Sequence, residues 1–70
     1  MFMDANKLKT KIKEKGFSIS TIAILIGVHN SLLHKKINGY EPMTIYEAMC
    51  IKEVLNLTNE EALDIFLSEV

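Results

Sequence analysis

The chain has 70 residues, about half the size of an average domain, which excludes a multidomain enzyme and a large α/β fold. Hydrophobic residues make up 49% of it and the net charge is −1, so the composition is that of a folded protein. A core this small commonly needs a disulfide, a metal or a partner chain. Because Cys50 is the only cysteine, an internal disulfide is excluded, and we expect self-association.

The net charge is small because a basic N-terminal part and an acidic C-terminal part of the chain nearly cancel. Residues 1–40 carry seven lysines against two acidic residues, a balance of +5. Residues 41–70 carry one lysine against seven acidic residues, a balance of −6. A chain polarised in this way can present one face to phosphate groups and another face to a different partner.

The first two helices are predicted on either side of Gly16. Apolar residues at helical spacing predict a helix over about residues 4–15, which Gly16 ends. Lysines at every second position scatter around this helix, so we expect them on a solvated surface. Ser18 is a suitable N-cap for a second helix, which runs to about Ile26 and is broken by Gly27.

A third helix is predicted from residue 29 or 30 to Ile37. Asn38 and Gly39 end it, since both residue types tolerate the left-handed backbone conformation. Pro42 blocks helix in the segment that follows. We therefore expect a loop between the third helix and the rest of the chain.

Two capping boxes predict the last two helices. Thr44 with Glu47, and Thr58 with Glu61, each place a hydroxyl and a carboxylate three residues apart. Asn56 ends the fourth helix. The fourth helix has its apolar residues at Ile45, Ala48, Met49, Ile51 and Leu55. With no alternating strand pattern, we expect one compact all-α domain of five helices over residues 1–70.

One segment has the spacing of two short helices that cross closely at a turn. Ala23 lies four residues before Gly27, where a close crossing needs a small side chain. Gly27 supplies the positive φ of the turn, and Val28 and Leu33 are expected to fill the wedge between the helices. This pattern predicts a helix-turn-helix unit at about residues 18–38.

This pattern resembles the Cro and lambda-repressor-like (XRE-type) family of helix-turn-helix proteins. The likeness covers nearly the whole chain, through the segments KLKTKIKEKG, IAILIGV, SLLHKKING, MTIYEAMCIKEVLNL and EEALDIF. The C-terminal part looks like that of small phage regulators from Gram-positive bacteria. The resemblance implies a compact five-helix lambda-repressor-like domain that binds double-stranded DNA at specific sequences and regulates transcription.

The resemblance also implies a recognition helix at residues 30–37, whose N-terminal side chains face base edges in the major groove. Base contacts are implied for His29, Asn30, Ser31, His34 and Lys35. Phosphate contacts are implied for Ser18, Ser20, Lys36, Asn38 and the backbone amide of Gly39. Within these sets, Asn30 suits a bidentate pair with adenine, and Lys35 suits guanine or a phosphate.

Two features depart from the pattern of that family. Ile19 stands where the family often has a phosphate-binding Gln. Ile24, Leu25 and Leu32 occupy outward positions that are usually polar, which is typical of a partner surface. Either the small domain twists enough to cover these side chains, or they contact a partner. The second alternative makes the chain a protein-binding modulator or antirepressor that grips another regulator.

The last helix is expected to join two copies of the chain through Phe66, Leu67 and Val70. Two subunits would then read half-sites about 34 Å apart, one turn of DNA. No signal peptide is visible at the first residues, and the longest apolar run, Ile22–Ile26, is too short to span a membrane. Together with the single cysteine, these features predict a cytoplasmic protein.

No residue pattern predicts an enzyme, a cofactor or a metal site. His29 and His34 are five residues apart, whereas two ligands on one helix face need a spacing of three or four. Cys50 is expected as a buried thiol, and Glu60 and Glu61 are adjacent and point apart. Core filling, in preference to an adaptable binding surface, is expected for Met1, Met3, Met43 and Met49.

Overall fold

A computed structural model describes residues 3–68 and is all-helical over that range. The five helices are α1 (Ala5–Glu14), α2 (Ile19–Ile26), α3 (Asn30–Ile37), α4 (Ile45–Val54) and α5 (Asn59–Phe66). The all-α, five-helix prediction is therefore confirmed. None of the helices in residues 3–68 has the length and apolar character needed to cross a membrane.

One hydrophobic core receives side chains from every helix. Its members are Leu8, Ile12, Ile22, Ala23, Leu33, Ile37, Ile51, Leu55, Leu57 and Ile65. Most of them recur four residues apart within a helix, which places them on one face. Each fully buried Leu or Ile contributes about 1.5–3 kcal/mol of hydrophobic stabilisation, which the entropy of ordering the chain largely offsets.

The outward face of α4 carries apolar side chains, among them Met49, which was expected in the core. Ile45 and Met49 are 81% and 57% exposed, so neither fills the core. They lie four residues apart on one side of α4, whereas Ile51 points inward from another side. Met3 and Met43 do pack against the core, and Met1 lies outside the described residues. The Cys50 thiol is only half-buried, so the expected buried cysteine is also wrong.

Side-chain caps define where four of the helices begin. The Asp4 carboxylate accepts from the Lys7 amide at 3.1 Å, so Asp4 precedes α1 as its N-cap and is not its first residue. The Ser18 hydroxyl accepts from the Thr21 amide in the same way, as predicted. Both predicted capping boxes are present, at the starts of α4 and α5.

Left-handed residues lie in all four connections between the helices, with Gly16 between α1 and α2 as the first. Gly27 ends α2 with φ of 74°, and Gly39 follows α3 with φ of 85°, as the sequence predicted. Asn38 does not take that conformation, because its φ is −83° and Gly39 alone makes the reversal. Asn56 has φ of 52° after α4. Asparagine tolerates this conformation because its short side chain can bond locally.

Ion pairs between α1 and α5 join the two oppositely charged parts of the chain. Lys7 Nζ lies 2.9 Å from Asp64 Oδ1, and Lys11 Nζ lies 2.7 Å from Glu61 Oε2. The hydrogen bond from Lys11, followed by that from the Thr58 amide, lowers the pKa of Glu61 to about 2. Part of the charge division is therefore neutralised within the fold.

Candidate nucleic-acid interface

The α2–turn–α3 unit has the predicted wedge. Ala23 of α2 and Leu33 of α3 are both buried in the common core. The Val28 amide donates to the Ala23 carbonyl at 3.0 Å, which closes the turn around Gly27, and the Val28 side chain packs against the core. The crossing fixes the direction of α3 relative to α2 and leaves its other side uncovered.

All five side chains implied as base contacts are exposed. They are His29, Asn30, Ser31, His34 and Lys35. Asn30 with His34, and Ser31 with Lys35, are pairs four residues apart, so they form two neighbouring rows on the outer side of α3. The fold thus brings the predicted set together on one surface at the first two turns of a helix.

The N-terminus of α3 carries no side-chain cap. His29 occupies the N-cap position without bonding an amide of α3, and the first turn contains no acidic residue. The first amides of a helix lack partners within the helix and lie at the positive end of its dipole. This helix end therefore offers donors that suit a phosphate oxygen.

Three of the implied phosphate contacts are exposed polar side chains, those of Ser18, Ser20 and Asn38. They differ in the hydrogen bonds that they make. The Ser18 hydroxyl caps α2 and lies 2.9 Å from Thr21 Oγ1. The Ser20 hydroxyl donates to Asn30 Oδ1 at 3.1 Å, across the turn. The Asn38 side chain makes no hydrogen bond with residues 3–68. These three side chains are accessible to a ligand.

The Gly39 amide is a correction to the implied set. It donates to the Lys36 carbonyl at 3.3 Å as part of the turn that ends α3. An amide used in this way is not available to a phosphate. Gly39 therefore acts through its backbone conformation at the end of α3.

Lys36 is a second correction. Its Nζ lies 2.5 Å from Glu47 Oε2, and both side chains are only 12% exposed. Burial raises the pKa of Glu47, but hydrogen bonds from Lys36 and Thr44 outweigh that effect and lower it below its ordinary value. Lys36 thus joins α3 to α4 and leaves the phosphate set. The helical spacing of Leu33, Lys36 and Ile37 on one face was the signal for this inward position.

The charged side chains that α2, α3 and their turn themselves contribute have one sign. The segment from Lys15 to Tyr40 contains no aspartate or glutamate. Lys15 and Lys35 are exposed and form no ion pair with any residue in the 3–68 range. The acidic residues lie mainly on α4 and α5. The α2–turn–α3 segment therefore contributes no negative side chain of its own, on a chain whose net charge is negative.

The outward apolar residues of α2 and α3 remain uncovered. Ile24 is 80% exposed, and Leu25 and Leu32 are also exposed. The twist of the domain does not cover them, so that alternative is excluded. Their role as a partner surface stays a prediction.

A second apolar surface runs between α4 and α5. It is an open groove of about 520 Å³, here called the α4–α5 groove. Its lining residues are Ile45, Ala48, Met49, Lys52, Asn59, Ala62, Leu63, Phe66 and Leu67. Leu67 is exposed and Phe66 is partly covered by the core, while Val70 lies outside the described residues. Ile45, Met49 and Leu63 are the exposed members that the sequence interpretation missed.

No group of three histidine, cysteine, aspartate or glutamate side chains comes together in residues 3–68. No protein-family model, curated protein or solved structure matches the chain. A function must therefore be argued from the geometry of this chain itself.

Proposed function

We propose that the chain is a sequence-specific DNA-binding regulator of the Cro or repressor type, which reads duplex DNA with α3. The observation that supports this most is the surface of α3. Five exposed polar or basic side chains stand on one side of a helix that is fixed at a close helix crossing, in a segment without acidic residues. A helix of this kind fits the major groove, which is about 12 Å wide.

The proposed DNA contacts fall into two groups. Contacts to the phosphate backbone position the protein, and contacts to base edges read the sequence. The uncapped N-terminus of α3, with Ser18 and Lys35 nearby in the same unit, supplies donors for the phosphate backbone. Asn30 and Ser31, in the first turn of α3, reach base edges. Because the phosphate contacts release counterions, the affinity for DNA falls steeply as the salt concentration rises.

Two copies of the chain meet through the α4–α5 groove. None of its lining residues belongs to α2 or α3, so a dimer formed there leaves α3 free for DNA. A symmetric pair would read two half-sites about 34 Å apart. Leu63→Lys places a charge in the groove and should give monomers in sedimentation, whereas Ile24→Lys should leave the dimer intact. A Leu63→Lys dimer as stable as the wild type would refute this interface.

The regulator would act in the cytoplasm, where its DNA target lies and where a single cysteine stays reduced. Its action needs no catalysis, cofactor or metal. The test is selection from a random duplex library at roughly 50 mM and 200 mM salt, a span over which binding through many phosphates drops by orders of magnitude. A palindrome with that salt dependence supports the proposal, and the absence of any enriched sequence contradicts it.

Variants then identify the reading helix. Asn30→Ala should weaken specific binding by about 1–3 kcal/mol and relax the sequence preference at one position. Asn6→Ala, which removes an exposed asparagine from α1, is the matched control and should leave the affinity unchanged. Equal losses on the selected site and on random DNA for Asn30→Ala would contradict its role as a base contact.

A second candidate function is a protein-binding modulator built on the same scaffold. The exposure of Ile24 and Leu25 favours it, as does Ile19 at a position where a Gln would touch phosphate. Ile24→Lys separates the two candidates. Loss of a protein partner with DNA binding retained supports the modulator, and unchanged partner binding supports the plain DNA-binding regulator.

A further inference from the structure

A hydrogen bond across the turn holds the side chain of Asn30. Ser20 is the second residue of α2 and Asn30 is the first residue of α3, and Ser20 Oγ donates to Asn30 Oδ1 at 3.1 Å. Both residues are exposed. The carboxamide of Asn30 is therefore oriented, with its oxygen turned toward α2.

The Ser20 hydroxyl has no competing acceptor in its own helix. Inside a helix, a serine or threonine hydroxyl commonly donates to the carbonyl four residues earlier, as Thr10 does to Asn6 in α1. For Ser20 that residue is Gly16, which precedes the N-cap of α2. The hydroxyl instead reaches across to α3, and this is its one hydrogen bond to the residues that the structure describes.

The orientation of the Asn30 carboxamide decides which of its hydrogen-bonding groups face DNA. A carboxamide has one acceptor oxygen and an NH₂ group with two donors. Because Ser20 holds the oxygen toward α2, Nδ2 is the end that is turned away from α2, and it bonds no group within residues 3–68. In this orientation Asn30 presents its NH₂ donors to a ligand, while its oxygen faces α2.

A carboxamide that presents both of its ends and one that presents only its NH₂ end suit different base edges in the major groove. Adenine presents an acceptor, N7, beside a donor, N6, and pairs with a carboxamide that offers both of its ends. Guanine presents two acceptors, N7 and O6. We propose that Ser20 is a specificity-determining residue, which turns Asn30 from an adenine reader into a guanine reader. This inference rests on the proposed function and replaces the adenine contact that the family resemblance implied.

The test is to repeat the duplex selection with wild type, Ser20→Ala and Ser20→Thr. Wild type and Ser20→Thr, which keeps the hydroxyl, should select guanine at one position of each half-site. Ser20→Ala frees Asn30 Oδ1 and should select adenine there. The preference between matched guanine and adenine duplexes should change by about tenfold, because Ser20→Ala restores the bidentate adenine contact that the wild type lacks.

A modified base supplies an independent measurement. Replacing that guanine by 7-deazaguanine removes the N7 acceptor, so wild-type affinity should fall, while Asn30→Ala should bind both duplexes equally. Circular dichroism confirms that each variant is folded. If wild type selects a site and Ser20→Ala selects the same base, the inference is wrong and the proposed function stands. If wild type selects no sequence, both are wrong.

Discussion

The pairs α2–α3 and α4–α5 each have a short connecting turn, but they differ in the residues at which their helices begin. In each pair, two short helices are joined by a turn with one left-handed residue, Gly27 in the first and Asn56 in the second. The helices α4 and α5 both begin with a capping box whose glutamate bonds the N-cap amide. The helices α2 and α3 begin without an acidic residue in their first turn.

This difference shows which part of the molecule can receive an anion. Glu47 and Glu61 place negative charge at the positive ends of α4 and α5, which satisfies these ends and repels phosphate. The start of α3 has no such charge and no side-chain cap. The pair α4–α5, here called the closed pair, therefore has both of its helix starts occupied by glutamate side chains. In the pair α2–α3, here called the open pair, Ser18 caps α2 but the start of α3 is free for a ligand. The division of charge along the sequence follows the same boundary.

The largest expected effect comes from removing the side chain that holds the open pair together. Leu33→Ala empties a fully buried position and should lower the free energy of unfolding by about 2–5 kcal/mol. Leu32→Ala, at the neighbouring exposed position, should lower it by less than about 0.5 kcal/mol. Urea denaturation measures both. Similar losses would show that α3 does not pack as described.

The adjacent lysines of α3 should separate stability from DNA binding. Lys36→Met leaves Glu47 without its partner and should cost about 1.5–3 kcal/mol of folding stability, the range for a hydrogen bond to a charged group. Lys35→Met should leave unfolding unchanged and weaken DNA binding at every sequence. Denaturation and fluorescence anisotropy measure the two effects. The reverse assignment would return Lys36 to the phosphate contacts.

The two turns should respond differently to substitution. Gly27→Ala places a Cβ in the left-handed region and should cost about 1–2 kcal/mol. Apart from Gly27 itself and its two chain neighbours, no residue has an atom within 4 Å of that Cβ, so the cost is one of backbone conformation alone. Asn56→Gly should cost no more than about 0.5 kcal/mol, since glycine adopts this conformation freely. A neutral Gly27→Ala in thermal denaturation would mean that the turn is not left-handed.

Acid should lower the stability of the fold by protonating Glu61, which pairs α5 with α1. Its pKa in the folded protein is about 2, against 4.5 ordinarily, so its stabilising effect is complete above pH 4.5 and is lost as the pH falls toward 2. Glu61→Gln keeps an acceptor for the capping box and should flatten this dependence. Glu60→Gln, at an exposed position, is the control. An unchanged pH profile in Glu61→Gln would contradict the role of the Lys11–Glu61 pair.

Local signals explain how much of the fold could be predicted. Ser18, Thr44 and Thr58 mark helix starts because a cap involves residues only three positions apart. Gly27 marks a turn because its conformation excludes most other residues. The close crossing could be predicted for the same reason, since Ala23 and Leu33 lie at fixed distances from that turn.

The rest depended on tertiary contacts that spacing does not reveal. Lys36 pairs with Glu47, eleven residues away on another helix, so the phosphate contact that the family resemblance implied for it was wrong. Ile45 and Met49 follow the helical period, but the period does not tell which side of α4 meets the core. The bond from Ser20 to Asn30 depends on how α2 crosses α3, which no sequence pattern specifies.

The measurement that tests the central claim most directly is a ¹H–¹⁵N NMR titration of the protein with the selected duplex. If the open pair binds DNA, the largest amide shifts should fall at residues 18–20 and 29–35. The amides of the α4–α5 groove should not change on addition of DNA. Largest shifts on α4 and α5, with α3 unaffected, would contradict the assignment of α3 as the reading helix.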